Sequence, residues 1–305
     1  MSLAQKICKK CNLPKEITDF SKDGTGYRSK CKLCEKEWHT LHKQKKKDLI
    51  DKVRSAKEQR PEYLEFVQNY SNKIICGDSL QVMKQMPDEC LDGIVTSPPY
   101  NLHIRKTFGN TDNWSGKWNN SKLQSEGYDE YEDYMPEDEY ITWQQSIVRE
   151  CFRLIKDDGC IFYNHKWRVQ NGLFQQRLEI IEGLPLRQII IWKKSGGINF
   201  NEGYFLPTYE VIYLIAKPNF KLPNQVNAYG DVWEITQEKG SWHPAPFPEE
   251  LASRCVESIK GSLILDPFMG SGTVGIVCKK QNKNYVGIDI SEEYCKKAEE
   301  RILLV

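Results

Sequence analysis

The chain has no run of 18 apolar residues, so no segment is long enough to cross a bilayer as a helix. Its opening, MSLAQKICKKCN, lacks an apolar stretch of signal-peptide length, and the expectation is a cytoplasmic protein. A large net charge is missing too: 43 Lys+Arg stand against 42 Asp+Glu. No internal repeat is present, which argues against a solenoid or propeller. What the chain does have is 39% hydrophobic residues and 11% aromatics, enough to build a core and exclude wholesale disorder. At 305 residues it makes one large domain with an appendage, or two modest ones. Its 11 cysteines, in a reducing compartment, are not a disulfide framework. Clustered ones point to metal and scattered ones to core filling.

The near-zero charge conceals an asymmetry. Residues 1–70 hold 17 Lys+Arg and 10 Asp+Glu, a net +7, which leaves −6 for the remainder. A basic end on an acidic protein suggests an anionic partner, nucleic acid first, although a solvated Lys-rich helix face has the same composition. Residues 35–70 contain no Gly and one Pro, Pro61. Leu41, Leu49, Ile50, Val53 and Ala56 recur there at roughly helical spacing, predicting a polar helix to about Arg60. A second, short helix through Leu64 and Val67 follows.

From Lys73 the pattern is α/β. β-rich runs at 73–76, 93–96, 160–163, 188–192, 210–216, 263–265 and 285–288 alternate with helices expected at 140–154, 174–181, 248–258, 273–280 and 291–301. Strands separated by helices of that length favour a mostly parallel sheet covered on both faces. Residues 102–139 resist assignment, running from Asn, Gly, Ser and Trp into the acidic EGYDEYEDYMPEDE. The domains read as 1–45, a basic helical linker 46–72, and 73–305.

At the N-terminus, Cys8-x2-Cys11 and Cys31-x2-Cys34 form two knuckles 19 residues apart, the spacing of a four-cysteine structural Zn2+ site. The intervening LPKEITDFSKDGTGYRSK has too few apolar residues for a core, so metal must supply much of the folding energy. Redox thiols, or His39 replacing one cysteine, are the alternatives. The basic flank (Lys6, Lys9, Lys10, Arg28, Lys30, Lys32) and the Lys43–Lys47 run can meet phosphates.

Two further motifs carry chemistry. In LILDPFMGSGTVGIVCKK a strand ends at Asp266, a turn follows with Gly270 and Gly272, and a helix starts near Thr273. Glycine lets a ligand approach the backbone closely, and the helix start offers unpaired N–H groups. Some 20 residues on, YVGIDI ends in Asp289, an acid able to accept both hydroxyls of a ribose, or else to cap the helix at Ser291. The second motif is GIVTSPPYN, residues 93 to 101. Pro98 and Pro99 donate no backbone hydrogen bonds, so the strand ends with free carbonyls. With the Ser97 hydroxyl these can accept the hydrogens of an amino group, while Tyr100 offers a ring for stacking.

SPPY, DPFMGSGT and the acid of VGIDI resemble the catalytic, cofactor and ribose motifs of DNA amino-methyltransferases that use S-adenosylmethionine. HPAPFPEEL (His243 to Leu251) and CGDSLQVMKQMPDE (Cys76 to Glu89) resemble two more segments of that family. The catalytic motif precedes the cofactor loop, as in the permuted β group, and the resemblance covers about residues 73–305.

The resemblance implies a doubly wound, Rossmann-like, seven-stranded and mostly parallel sheet with one antiparallel strand near an edge. It assigns Ser97, Pro98, Pro99 and Tyr100 to catalysis on a flipped base. Phe268, Gly270, Gly272 and Thr273 fall to the cofactor turn, Asp266 to the methionine end, Asp289 to the ribose and Asp78 to the adenine edge. His243, Pro244 and Phe247 would shape the methionine pocket. Ser before Pro-Pro-Tyr is commoner in the family's cytosine-N4 enzymes, while the trailing Asn101 resembles many adenine-N6 members. The implied partner is double-stranded DNA, the implied setting a prokaryotic or viral modification enzyme beside a restriction endonuclease.

No large separate target-recognition domain fits between His165 and Trp242. Base reading therefore falls to residues 102–127 with Trp114, Lys117 and Trp118, to the loop 193–206, or to the N-terminal module. His165 and Lys166 follow a strand and read as ordinary exposed polar residues, with a phosphate contact as the alternative. The competing class is a zinc-containing DNA-binding or nuclease module, but His39 and His42 lack the partner Asn or preceding Asp-His that an HNH-type nuclease needs.

Overall fold

The computed structural model describes residues 4–101, 135–170, 172–196, 202–238 and 246–305. It divides into two compact units, Met1–Leu64 and Glu65–Val305.

The first unit opens with two antiparallel hairpins. One pairs β1 (Gln5–Ile7) with β2 (Pro14–Glu16), the other β3 (Phe20–Asp23) with β4 (Gly26–Cys31). Gly24 turns the second hairpin at φ +59°, where a side chain would be strained. Helix α1 (Lys32–Glu58) follows directly and is unbroken across the expected 45/46 boundary. Cys34 is its only buried residue; Leu41, Leu49 and Val53 keep their helical spacing but lie exposed. Cys8, Phe20, Cys31 and Cys34 form the unit's small core, flanked by Cys11 and Tyr27. The unit boundary falls inside α2 (Pro61–Tyr70).

The second unit is built on an eight-stranded sheet. In chain order its elements are β5 (Lys73–Cys76), α3 (Ser79–Lys84), β6 (Leu91–Thr96), α4 (Glu137–Leu154), β7 (Ile155–His165), a small hairpin of β8 (Arg168–Gln170) and β9 (Leu173–Gln175), β10 (Leu186–Lys193), β11 (Tyr209–Ala216), β12 (Val232–Glu234), α5 (Glu249–Glu257), β13 (Leu263–Asp266), α6 (Thr273–Lys280), β14 (Asn284–Asp289) and α7 (Glu292–Leu303). The strand order is β12-β10-β11-β7-β6-β13-β14-β5, and only β11 runs against its neighbours. The three-residue edge strand β12 is the addition to the seven expected.

Central strands are covered on both faces: every residue of β6 is buried, Asp92 and Thr96 included. Val95, Cys160, Phe162, Ile212 and Ile264 join the core built with α5 and α6. Their buried neighbours Ile94, Ile161, Tyr163, Tyr213 and Leu265 point to the opposite face, as alternation along a strand requires. There α3 packs on α4. At the amino edge, Asp92 pairs with Lys156 at 3.0 Å while accepting from the Ser262 and Leu263 amides, a buried charge that is both paired and hydrogen-bonded.

Two expectations need correction. Residues 174–181 are not a helix: Phe174 lies in β9, and only Leu178–Ile181 makes a single 3-10 turn. Arg177 between them sits at φ +61°, which breaks any right-handed run. His165 is not an exposed polar residue but fully buried at the end of β7.

Candidate active site

Both chemical motifs spring from the carboxyl edge of the sheet, where ligands of open α/β sheets bind. Strands β6 and β13 are parallel neighbours, so the Ser97–Tyr100 segment and the Asp266–Gly272 turn leave adjacent strand ends. Thr96 Oγ1 donates to Asp266 Oδ1 at 2.7 Å, joining the two.

The segment after β6 is fixed by contacts no spacing rule foretells. Tyr140 Oη donates to the Pro99 carbonyl at 2.9 Å, and Gln144 Nε2 reaches the same oxygen at 3.4 Å. No described residue donates to the Pro98 carbonyl. Asn101 adopts φ +54° and is fully buried, its side chain bonded to the Met135 amide and carbonyl. Arg168 Nη1 donates to the Tyr100 and Asn101 carbonyls at 3.2 and 2.7 Å.

The Ser97 and Tyr100 side chains meet: Ser97 Oγ lies 2.7 Å from Tyr100 Oη. Tyr100 Oη donates to Glu210 Oε2 at 3.0 Å, and Asn164 Nδ2 donates to Ser97 Oγ at 3.3 Å and to Glu210 Oε2 at 2.9 Å. Lys194 Nζ neutralises Glu210 across 2.6 Å to Oε1. The buried Asn164 Oδ1 accepts no hydrogen bond. Tyr100 is half-buried with its ring 5.0 Å from that of His165. Burial drives the His165 pKa down to about 3, so its ring is neutral, and Nε2 lies 2.8 Å from Tyr140 Oη.

In the neighbouring turn, Gly270 and Gly272 have φ +50° and +78°. Gly272 also has Ala298 Cβ only 3.0 Å from where its own Cβ would stand, which brings α7 close beneath the turn. The Asp289 carboxylate accepts from the Gly270 amide at 2.8 Å through Oδ2 and from the Ser291 amide at 3.0 Å through Oδ1. A carboxylate oxygen can accept more than one hydrogen bond, so an acid at this place suits a diol as well as the turn it closes. Burial raises the Asp266 carboxyl to about 7, and Asp289 pushes the same way; hydrogen bonds from Thr96 and Phe268 oppose it. A buried carboxyl with only those two donors is suited to a cationic ligand group. Phe268 contacts the Trp143 ring edge-on at 5.8 Å. Asp78 caps α3 by accepting from the Gln81 amide, and the adjoining Ser79 Oγ donates to the Pro267 carbonyl. Thr273 is buried, its Oγ1 taking Arg301 Nη1 at 3.1 Å, so its side chain supports the turn from behind. Phe247 packs against the core of α5 and α6. His243 and Pro244 lie outside the described residues, as do Trp114, Lys117 and Trp118.

Four cysteine sulfurs converge in the first unit. The Sγ atoms of Cys8, Cys11, Cys31 and Cys34 all lie within 4.8 Å of one another. Cys8 Sγ accepts from the Lys10 and Cys31 amides, and such bonds from the Cys11 and Cys31 amides hold its thiol down at about 6.

The sequence had singled out Ser97, Tyr100, Asp266 and Asp289, which the fold brings to one edge. It had not singled out Asn164, Glu210 and Lys194. The signal was present in YNH and YEVIYLIA, where a polar residue interrupts or opens an otherwise apolar strand.

Comparison with known proteins agrees with this geometry. The chain is 28% identical over 255 residues to the type II methyltransferase M.HpaI of Haemophilus parainfluenzae, covering 75% of this chain and 74% of that one. It is 28% identical to M.SmaI of Serratia marcescens, covering 76% and 91%. Among solved structures, PvuII DNA methyltransferase, cytosine-N4-specific, superposes with a TM-score of 0.57 at 19% identity, over 75% of this chain and 89% of that one. A Thermus thermophilus structure complexed with S-adenosyl-L-methionine superposes with a TM-score of 0.54 at 23% identity, over 76% and 93%. The N6/N4 DNA methylase family model matches residues 91–300, from the strand that delivers Ser97 to the helix that follows Asp289, and the chain belongs to that family.

Proposed function

We propose that this DNA methyltransferase modifies the exocyclic amine of a base flipped out of the duplex, and that the base is cytosine, methylated at N4. The observation that carries the reading is the Ser97 hydroxyl, held beside Tyr100, Asn164 and Glu210 one strand away from the Gly270 turn. S-adenosylmethionine supplies an electrophilic methyl group when bound. The residues that would hold it are Asp266 and Phe268 at its methionine end, the Gly270–Gly272 backbone, Asp289 at the ribose and Asp78 toward the adenine.

An exocyclic amine is a poor nucleophile because its lone pair is delocalised into the ring. Ser97 Oγ and the unclaimed Pro98 carbonyl accept its two hydrogens and draw the nitrogen toward tetrahedral geometry. Binding would have to present that nitrogen to the methyl group the cofactor would supply. A paired base cannot reach the carboxyl edge, so it must leave the stack, and Tyr100 receives its face. Ser97→Ala and Tyr100→Ala test the assignment. Each is expected to depress single-turnover methyl transfer with cofactor affinity preserved, and wild-type rates in both would overturn it.

For the N-terminal unit the proposal is a structural zinc site that helps dock DNA. The four sulfurs fit tetrahedral Zn2+, whose bonds of about 2.3 Å place thiolates roughly 3.8 Å apart. Several basic side chains of the flank are engaged within the unit. Lys6 donates to the Tyr27 carbonyl, Lys10 to that of Cys34 and Lys32 to that of Thr18, while Arg28 pairs with Glu35. Lys9, Lys43, Lys45, Lys46 and Lys47 are exposed and are the better phosphate contacts. A companion restriction endonuclease belongs to the same proposal, since the named relatives are type II methyltransferases.

A further inference from the structure

We propose that Glu210 is the end of a proton path that starts at the target amine and runs through Ser97 and Tyr100, so the methylated nitrogen is neutralised inside the protein. The inference rests on the amino-methyl transfer reading above. It comes from an unusual placement. Strand β11 is the one strand that runs against the sheet, so its first residues lie at the edge where its neighbours end. Glu210 is thereby set among residues that follow β6 and close β7, at 7% exposure.

The connection is continuous. Ser97 Oγ is 2.7 Å from Tyr100 Oη, which is 3.0 Å from Glu210 Oε2. Asn164 fixes its direction: it presents a donor, Nδ2, to Ser97 Oγ, to Tyr100 Oη and to Glu210 Oε2, so neither hydroxyl can give its hydrogen to Asn164. Ser97 donates to Tyr100, Tyr100 donates to the carboxylate, and Ser97 keeps a lone pair for the amine. Lys194 at 2.6 Å makes a buried carboxylate tolerable before transfer.

The steps balance. The amine nitrogen bonds to the methyl carbon as the carbon–sulfur bond breaks and its electron pair stays on sulfur. The nitrogen then carries a positive charge and one proton too many. That proton moves to Ser97 Oγ as the serine proton moves to Tyr100 Oη and the tyrosine proton to Glu210. A neutral methylamino base and a protonated Glu210 result. Lys194, now without its counter-charge, favours return of the proton to solvent. Glu210 acts through Ser97 and Tyr100 and does not touch the base.

The test is single-turnover methyl transfer by the full chain with duplex DNA and S-adenosylmethionine. Glu210→Gln keeps size and an acceptor oxygen but cannot take a proton, and the rate should fall about 100-fold with DNA and cofactor affinities unchanged. Glu210→Ala should be equally slow and should recover in proportion to added formate or acetate. The wild-type rate should also be slower in D2O, with a curved proton inventory. A wild-type rate in Glu210→Gln, a Glu210→Ala enzyme that carboxylates do not rescue, or a wild-type rate unchanged in D2O would each overturn the proton path. A wild-type chain that methylates no DNA would overturn the underlying reading instead.

Discussion

Thr96 and Asp266 close the ends of two parallel strands on each other: the threonine hydroxyl donates to the carboxylate at 2.7 Å, and both side chains are buried. One strand continues into Ser97 and Tyr100, the other into the Gly270 turn, so this bond sets the spacing between the base and cofactor sites. Thr96→Val keeps the shape and removes the donor. It should destabilise the fold by about 1–3 kcal/mol, because a buried acceptor loses one of its two partners. Thermal denaturation reads the loss, and cofactor titration should show weaker binding alongside it.

Asp266 should make both stability and cofactor binding depend on pH. Its carboxyl is raised from 3.8 to about 7 in the fold, chiefly by burial. A group whose folded pKa is raised contributes stability that is full below its unfolded pKa, near 4, and is lost as pH rises through about 7. Asp266→Asn should therefore melt higher than wild type at pH 8 by up to a few kcal/mol, at about 1.4 kcal/mol per pKa unit, with the difference shrinking toward pH 4. A cationic ligand group favours the ionised form, so cofactor affinity should rise with pH up to about 7 in the wild type. Titrations of Asp266→Asn should show that dependence gone.

Much of this was legible in the sequence. Apolar runs located the seven main strands, and the DPFMGSGT turn placed α6 at Thr273–Lys280, as found. Asp289 was open between a ribose acceptor and a helix cap. The structure caps α7 with Ser291 itself, whose Oγ accepts from the Tyr294 amide, while the Asp289 carboxylate accepts from the Gly270 and Ser291 amides. What the sequence hid is what tertiary contact decides. Arg177 at φ +61° has no local signature, and it undid the helix expected at 174–181. His165 reads as polar, yet burial keeps it neutral, with Tyr140 against its ring nitrogen. Glu210 and Asn164 are 46 residues apart and become partners only because β11 pairs with β7.

The cysteine cluster makes a compositional prediction. Metal analysis of the purified chain should find one zinc per molecule, and Cys34→Ser should reduce it. Chelation should melt the hairpins of the first unit, since Cys8, Phe20, Cys31 and Cys34 are its buried core among the described residues. Cofactor affinity should not change. A metal-free chain with a folded N-terminal unit would refute the site.

DNA docking by the first unit is a statement about salt. Replacing Lys43, Lys45, Lys46 and Lys47 together with Ala should weaken DNA binding and reduce the slope of log affinity against log salt by up to about 3.6. These residues are exposed on α1, so the fold should tolerate the change. Equal affinity and slope, measured by fluorescence anisotropy over a salt series, would assign the basic run to solvation alone.

The most direct measurement is of the product itself. Duplex DNA is incubated with the protein and methyl-labelled S-adenosylmethionine, digested to nucleosides and resolved by mass spectrometry. The geometry around Ser97 predicts label on the exocyclic nitrogen N4 of cytosine. Label on adenine N6 would overturn the choice of base, and label on the cytosine ring carbon, or none in DNA, would contradict amino-methyl transfer altogether.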